Sequence, residues 1–401
     1  MTEKDRAILA AGLGGTHLTA AVVNDGNRIV WDRTVPSPCG GELIERARRA
    51  PDKIGFTLEH WDELVPFREG LLDAAAELLD EARSEAVSAG YRTDRAGVGL
   101  AGAVNPITGR IVEKAGALNH PAWGDFHPGR SLERRTGFPV TCLNDGKAMA
   151  LGALATFDRA AVLFRRTGHG LTEIPLADAL PGCRGRGEIA DFVEIADFVE
   201  IADFIEIDPG TGLGGAYIVD GSVWYGPDSR NPDPDVGEIW HLEVDGERLG
   251  ERFEEMVSGR AIGDAVLSGA QALGDARTME ILAERGGKIQ NLLAAGHAPL
   301  DAVIADVLFT AGSVIGKGIV HFSGSERRRL KAPDIRTFVI GGGIVSGDAP
   351  ESTFVRKTLQ EGILSIVEEK QGMADKPRVI FTTLGGRALL IGAAHAARIA
   401  G

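Results

Sequence analysis

Apolar residues fall into short runs divided by glycine-rich turns, and their spacing predicts alternating strands and helices. Ala7 to Ala11 is a continuous apolar run that enters the turn Gly12-Leu-Gly-Gly-Thr16. Thr19 to Val23 predicts a second strand, closed by Asn24-Asp-Gly-Asn27, and Arg28 to Arg33 a third. Strands joined by Gly-Gly-Thr predict a hairpin whose backbone N–H groups can approach a ligand, because glycine lacks a Cβ. Residues 36–60 show no periodicity. From Pro66 to Ala89 the apolar positions Phe67, Leu71, Leu72, Ala75 and Leu78 recur at helical spacing. Arg95 to Leu100 predicts a strand running into Ala101-Gly-Ala-Val-Asn-Pro106, and a helix is predicted near Ser131 to Thr136.

Val140 to Leu143 reads as a short buried strand, with Pro139 at a position that suits a strand's start. It delivers Asn144 and Asp145 at its carboxyl end, where ligands bind in open α/β sheets. Lys147 to Leu154 is Ala/Leu/Met-rich, so the pair sits at a strand-to-helix corner. Asn-Asp-Gly alone is a common turn. Its position between Gly12–Thr16 and a second turn, Gly210-Thr-Gly-Leu-Gly-Gly215, makes it a candidate site. Glu206 to Asp208 predicts the strand entering that second turn, and Ala216 to Val219 the return. The polar segment Gly237-Glu-Ile-Trp-His241 follows. Helices are predicted over Glu247–Leu267, Ala272–Ala295 and Asp301–His321, and strands over Thr337–Ile340, ending in Gly341-Gly-Gly343, and Val379–Phe381. Ala388 to Ile399 closes the chain as a small-residue helix. No element is assigned to residues 158–187.

One segment repeats. Glu188-Ile-Ala-Asp-Phe-Val193 recurs as 194–199 and, ending in Ile, as 200–205. A period of six rotates each Phe to a new helix face, but preserves both faces of a strand. The third copy is therefore the expected strand, and the first two are expected to be a tandem duplication in a loop without chemistry of their own.

With 401 residues, two domains are the default. A formal charge of -14 disfavours nucleic acid and anionic membrane as partners. No apolar run approaches the ~20 residues of a membrane span. Met-Thr-Glu-Lys-Asp-Arg leads directly into the first strand, so no signal peptide is expected. Cys39, Cys142 and Cys183 are widely separated, which suits a reducing cytoplasm and offers neither a disulfide framework nor a thiolate zinc site.

Two strand–turn–strand hairpins, an Asp at a strand end between them and a later Gly-Gly-Gly turn resemble the two-lobed α/β actin-like ATPase (ribonuclease H-like) fold. More narrowly, Leu13-Gly-Gly-Thr16, Leu143-Asn-Asp145, Gly210–Gly215, Gly237–His241, Val339-Ile-Gly-Gly-Gly343 and Leu390-Ile-Gly-Ala-Ala394 resemble the ROK family (repressor, open reading frame, kinase) of sugar kinases. These stretches span nearly the whole chain in the family's order. The resemblance implies a smaller lobe of residues 1–145 with 386–401, and a larger lobe of residues 146–385.

It also implies ATP-dependent phosphorylation of a hexose or N-acetylhexosamine, with Mg2+. Such transfer needs a carboxylate near the acceptor hydroxyl, backbone donors around the triphosphate and a metal. Asp145 matches the general base; an ordinary Asp pKa near ~4 suffices for accepting a proton late in a loose transition state. Asn144, Glu238, His241 and Glu254 match sugar-hydroxyl contacts, joined by Asn119 and Gly102. Gly14, Gly15 and Thr16, with Gly210, Thr211 and Gly212, match the phosphate cradles, and Gly341, Gly342 and Gly343 the adenosine turn. Family members are commonly dimers or tetramers, so a homodimer is expected, in the cytoplasm.

Three departures stand out. The family carries an Asp before the first turn that helps place magnesium, and here Gly12 stands there; Asp208, ahead of the second turn, is the nearest substitute in sequence. Most members hold zinc with the histidine of Gly-Glu-x-x-His and three cysteines, but no cysteine follows His241, with Glu247 and Arg252 where cysteines would fall. Zinc wants a tetrahedral set of soft or borderline ligands, so no structural zinc is expected. Trp240 replaces a small residue in the sugar motif.

The competing reading is a sugar-binding protein of this fold with little or no catalysis. The family's repressors carry a helix-turn-helix ahead of the first turn, where about one strand's worth of residues precedes it here. An actin-like polymer or chaperone ATPase would lack the segment Gly237–His241.

Overall fold

The structure, a computed structural model, describes residues 5–14, 17–38, 61–111, 126–168, 170–179, 202–210, 212–234, 236–237, 239, 243–244, 247–371 and 377–400, with backbone alone at 61–64, 243–244, 247–252, 325 and 370–371. The chain forms two compact units. One comprises Met1–Ala155, Asp228–Gly237 and Gly386–Gly401, the other Thr156–Pro227 and Glu238–Gly385.

The first unit opens with β1 (Ala7–Leu13), β2 (His17–Asn24) and β3 (Ile29–Pro36). Helix α1 (Trp61–Ser88), β4 (Ala96–Leu100), α2 (Pro128–Thr136), β5 (Val140–Asn144) and α3 (Asp145–Leu154) follow. The strands lie in the order β3-β2-β1-β4-β5. The first three are antiparallel neighbours, while β1, β4 and β5 run parallel. The central strands β1 and β4 are apolar on both faces, as strands covered on both sides must be. One stripe of α1, with Leu71, Leu72, Ala75, Leu79 and Ala82, buries against Leu9, Leu18, Val22 and Val98.

In the second unit α4 (Phe157–Ala160) precedes a hairpin of β6 (Ala161–Thr167) and β7 (Gly170–Pro175), then α5 (Leu176–Ala179). Strands β8 (Phe204–Pro209), β9 (Leu213–Val219) and β10 (Ser222–Val223) flank the second glycine turn. A small pair, β11 (Glu243–Val244) and β12 (Glu247–Arg248), leads into α6 (Leu249–Val257) and α7 (Gly259–Leu273). Next come α8 (Ala276–Arg285), α9 (Ile289–Leu293), α10 (Ala298–His321), a π-helical turn (Phe322–Glu326) and α11 (Arg327–Leu330). Strand β13 (Thr337–Ile340), helix α12 (Pro350–Gln371) and strand β14 (Arg378–Thr382) complete the unit, and α13 (Arg387–Ile399) returns to the first. The sheet order is β10-β9-β8-β13-β14-β6-β7. Its first five strands repeat the order and directions of the first unit's sheet, and the β6–β7 hairpin is added antiparallel on the edge of β14.

Several elements differ from the sequence reading for identifiable reasons. The helix expected over Glu247–Leu267 starts as strand β12 and is interrupted at Ser258, whose hydroxyl accepts from Ala261 N and caps α7. The helix expected over Ala272–Ala295 is three pieces. Gly274 ends the first in left-handed conformation, Asp275 caps the second through Thr278 N, and Gly286, at φ 69°, ends it. The third repeat copy supplies the start of β8 at Phe204, while the first two copies lie outside the described residues. The segment Ala298–Gly324 is long and apolar enough to cross a membrane by length and composition, with mean hydropathy 1.7, which amends the reading that no such run exists. Gly312 and Gly316 of α10 lie against the backbone carbonyls of Leu359 and Ile363 on α12, so α10 serves as a packed helix of this unit.

Glycine also fixes α13 in the first unit. A Cβ on Gly392 or Gly152 would fall well inside van der Waals contact with the carbonyls of Ala148 and Ala388, so α13 and α3 touch backbone to backbone. Helix α3 therefore stays with the first unit, whose edge falls at Ala155.

Candidate functional site

In the first unit the site grows from the end of β5. Asn144, 6% exposed, has backbone at φ -59° and ψ 145°, and its Oδ1 accepts from Lys147 N at 3.0 Å as the N-cap of α3. Its Nδ2 donates to Gly102 O at 3.3 Å and to Asp145 Oδ1 at 3.2 Å. Gly102 holds φ 124°, a conformation that side-chain-bearing residues rarely adopt, and so its carbonyl can reach the amide. Asp145 occupies the first helical position, half-buried, and also accepts from Gly146 N at 3.0 Å. A carboxylate there is favoured by the positive end of the helix dipole. Asn144, read from sequence as a sugar contact, is thus engaged on both amide atoms in holding the Asp145 corner.

Lys147, fully buried, donates from Nζ to Pro234 O at 2.7 Å. That bond anchors the stretch leading to Gly237, at φ 89°, against the helix that carries Asp145. Spacing gave no hint of this link, since 87 residues separate the partners.

The first glycine turn is tight: Gly14 N donates to His17 O at 3.0 Å, and a Cβ on Gly14 would lie 2.8 Å from the same oxygen. At Gly12, where the family resemblance leads one to look for a carboxylate, a Cβ would meet Leu389 Cδ2 at 2.9 Å; so would one at Gly99, its β4 partner. Leu389 of α13 packs against both glycines.

In the second unit Gly210 N donates to Asp208 O at 2.9 Å, and Gly210 O accepts from Gly259 N at 2.7 Å. The N-terminus of α7 is thereby tied to the turn. Free backbone N–H groups at such a terminus favour anions. Glu254 of α6 lies beside the same turn, its Oε1 3.2 Å from where a Cβ on Gly212 would sit.

The Gly341–Gly343 turn follows β13, with Gly341 N donating to Ile207 O at 2.9 Å and Gly342 at φ 85°. Its continuation is heavily braced. Gln290 Nε2 donates to Ile344 O at 2.8 Å, and the fully buried Arg356 donates to Val345 O and Gly347 O at 2.7 Å each. The guanidinium's other edge grips Glu173 of β7 with two bonds of 2.9 and 2.7 Å. Glu206 and Asp208, one strand over on β8, are buried, and among the described residues neither oxygen of Glu206 has a hydrogen-bond partner. Burial, together with the nearby Asp208 carboxylate, holds the Glu206 carboxyl well above its ordinary range. Sequence reading took Glu206 only as a strand residue; two acids spaced by two in an apolar strand were the available signal.

Gly15, Thr16, Asn119, Thr211, Glu238, Trp240 and His241 lie outside the described residues, as do Cys39 and Cys183. Among the described residues no group of three or more His, Cys, Asp or Glu is placed to hold a metal ion.

These two sheets, with their glycine turns and strand-end acid, have the α/β fold of solved ROK family structures. Solved structures bear this out. A ROK family glucokinase from Streptomyces griseus, in complex with glucose and AMPPNP, is 21% identical with a TM-score of 0.60, over 98% of this chain and 99% of that one. The ROK hexokinase from Thermus thermophilus is 23% identical with a TM-score of 0.55, over 98% of both chains. A ROK family transcriptional regulator, homologous to the Escherichia coli MLC protein, is 17% identical with a TM-score of 0.56, over 98% of this chain and 79% of that one. No protein-family model matches the sequence, and no curated protein is similar to it.

Proposed function

We propose that this chain transfers a phosphoryl group from ATP to a hydroxyl of a hexose or N-acetylhexosamine, with Asp145 as general base. The observation that carries the proposal is the Asp145 corner: a half-buried carboxylate at the end of a parallel strand, fixed by Gly146 N and by an Asn144 that is itself fixed at both ends. A base held in this way is oriented before substrate arrives, and a positioned base contributes roughly 10²–10⁴ in rate. Asp145 accepts the proton of the acceptor hydroxyl as the oxygen becomes nucleophilic. Bound ATP would supply the phosphoryl group, and Mg2+ would neutralise charge on its oxygens. Gly212, beside the N-terminus of α7, is the proposed backbone donor for phosphate, and the braced Gly341–Gly343 turn is the proposed place of close backbone approach for the adenosine. Glu254 is a proposed sugar contact, for which Glu254→Gln should raise the KM for sugar more than it lowers kcat.

The test is ADP release with Mg2+ and ATP over a panel of hexoses and N-acetylhexosamines. Sugar-dependent turnover that falls by two or more orders of magnitude in Asp145→Asn supports the proposal. ADP release independent of any sugar would refute it. One observation favours a second reading, a sugar-binding protein without turnover: Leu389 occupies the space beside Gly12. That reading requires calorimetric sugar binding with no ADP formed.

A further inference from the structure

We propose that Glu206 and Asp208 are the carboxylates that hold the divalent cation accompanying the nucleotide in the second unit, an inference that rests on the nucleotide-binding reading above. The two acids are alternate residues of β8 and share one face of its sheet. Both converge on the turn after β13. Glu206 Oε1 lies 3.0 Å from where a Cβ on Gly341 would stand, and Asp208 Oδ1 lies 3.8 Å from the same point. A side chain on Gly342 would collide with Asp208 Oδ1 and would lie 2.8 Å from Pro209 O.

Glu206 is the decisive residue. It is 0% exposed, and among the described residues neither carboxyl oxygen has a hydrogen-bond partner and the charged group that acts on it, Asp208, is also an acid. A carboxyl buried in that condition costs several kcal/mol unless something compensates it. No salt bridge reaches it among the described residues. Nothing in the fold requires an acid here, since the strand position needs only an apolar residue. A hard cation would satisfy the carboxyls and could add the Pro209 carbonyl. Mg2+ in nucleotide sites takes one or two protein carboxylates, with waters and phosphate oxygens for the rest, which is the number of carboxylates this turn supplies.

Mn2+ serves as the probe, with the full chain and ADP present, its free concentration read by electron paramagnetic resonance. Wild-type protein should bind one equivalent. Glu206→Gln and Asp208→Asn should each weaken that binding at least tenfold while leaving cation-free ADP binding unchanged. Equal Mn2+ affinity in wild type and both variants, or no Mn2+ bound by wild type, overturns the assignment. A measurement that needs no variant is anomalous diffraction from crystals grown with Mn2+ and ADP. A peak between the two carboxyls supports the site, and a peak elsewhere removes it. Sugar turnover is scored separately. Mn2+ held by the pair without sugar phosphorylation supports the site and ends the kinase reading; phosphorylation with Mn2+ held elsewhere ends the site and keeps the kinase.

Discussion

The two halves of this molecule share a strand order yet treat the residue two places before their glycine turns in opposite ways. In the first half it is Gly12, covered by Leu389; in the second it is Asp208, beside a buried Glu206 and the naked backbone of Gly341 and Gly342. The means of bracing differ too. The first half seats α3, and with it Asp145, by glycine contacts between helices. The second half seats its glycine turn with a buried arginine that spans β7, α12 and two carbonyls. The topology fixes where a ligand is met, and the residue placed at each turn decides which chemistry that turn can carry.

Breaking the brace of the second half should have the largest effect. Arg356→Met strands Glu173 and two carbonyls, and loss of one partner of a buried pair costs about 3–5 kcal/mol. The lower end is expected because Glu173 keeps 17% exposure. A chemical denaturation midpoint would show it, and an unchanged midpoint would remove the brace from the account. In the first half, Asp145→Asn should lower kcat by two or more orders of magnitude, about 2.7 kcal/mol or more in barrier height, with the melting temperature nearly unchanged. Gly392→Ala should cost stability toward the upper end of about 1–3 kcal/mol, because the new methyl must push α13 from the Ala148 carbonyl.

In the second half acid should act through Glu326. Burial works to raise the Glu326 carboxyl, but hydrogen bonds from Arg329, with His321 Nε2 3.9 Å away, outweigh it and hold the pKa at about 2, against 4.5 in the unfolded chain. A depressed folded pKa contributes stability that is complete above pH 4.5 and is lost as pH falls toward 2. Glu326→Gln should flatten the stability profile in that window, and at pH 7 to 8, where the contribution is complete, it should lower stability. A parallel downward slope in the variant would assign the acid sensitivity elsewhere. The smallest change should come from Asn144→Ala, whose lost helix cap costs about 1 kcal/mol. Its catalytic effect should exceed that, since Asp145 also loses a donor, and the ratio of the two separates capping from positioning.

The local parts of this arrangement were legible in the sequence. The strand ending at Asn144, the glycine turns and the closing helix follow from short apolar runs and turn residues, each set by neighbours a few positions away. Helix α12 was legible but unread: Val355, Leu359, Ile363 and Val367 recur every four residues and are all buried. The β6–β7 hairpin was harder, because Phe164-Arg-Arg-Thr167 interrupts the apolar alternation and the hairpin gains its partner only from β14. What sequence could not give is long-range. Arg356 meets Glu173 across 183 residues, and Leu389 reaches Gly12 only through the seating of α13 on the sheet. The absent acid at position 12 was visible in the sequence, while the side chain that packs there comes from the far end of the chain.

The central claim is that Asp145 activates a sugar hydroxyl for phosphoryl transfer, and it is tested most directly by following the phosphorus. Phosphorus NMR of the full chain with ATP, Mg2+ and each sugar of the panel should show a sugar phosphomonoester resonance growing in step with ADP. That resonance should be lost in Asp145→Asn. Growth of inorganic phosphate alone, or an undiminished phosphomonoester signal from Asp145→Asn, would contradict the account.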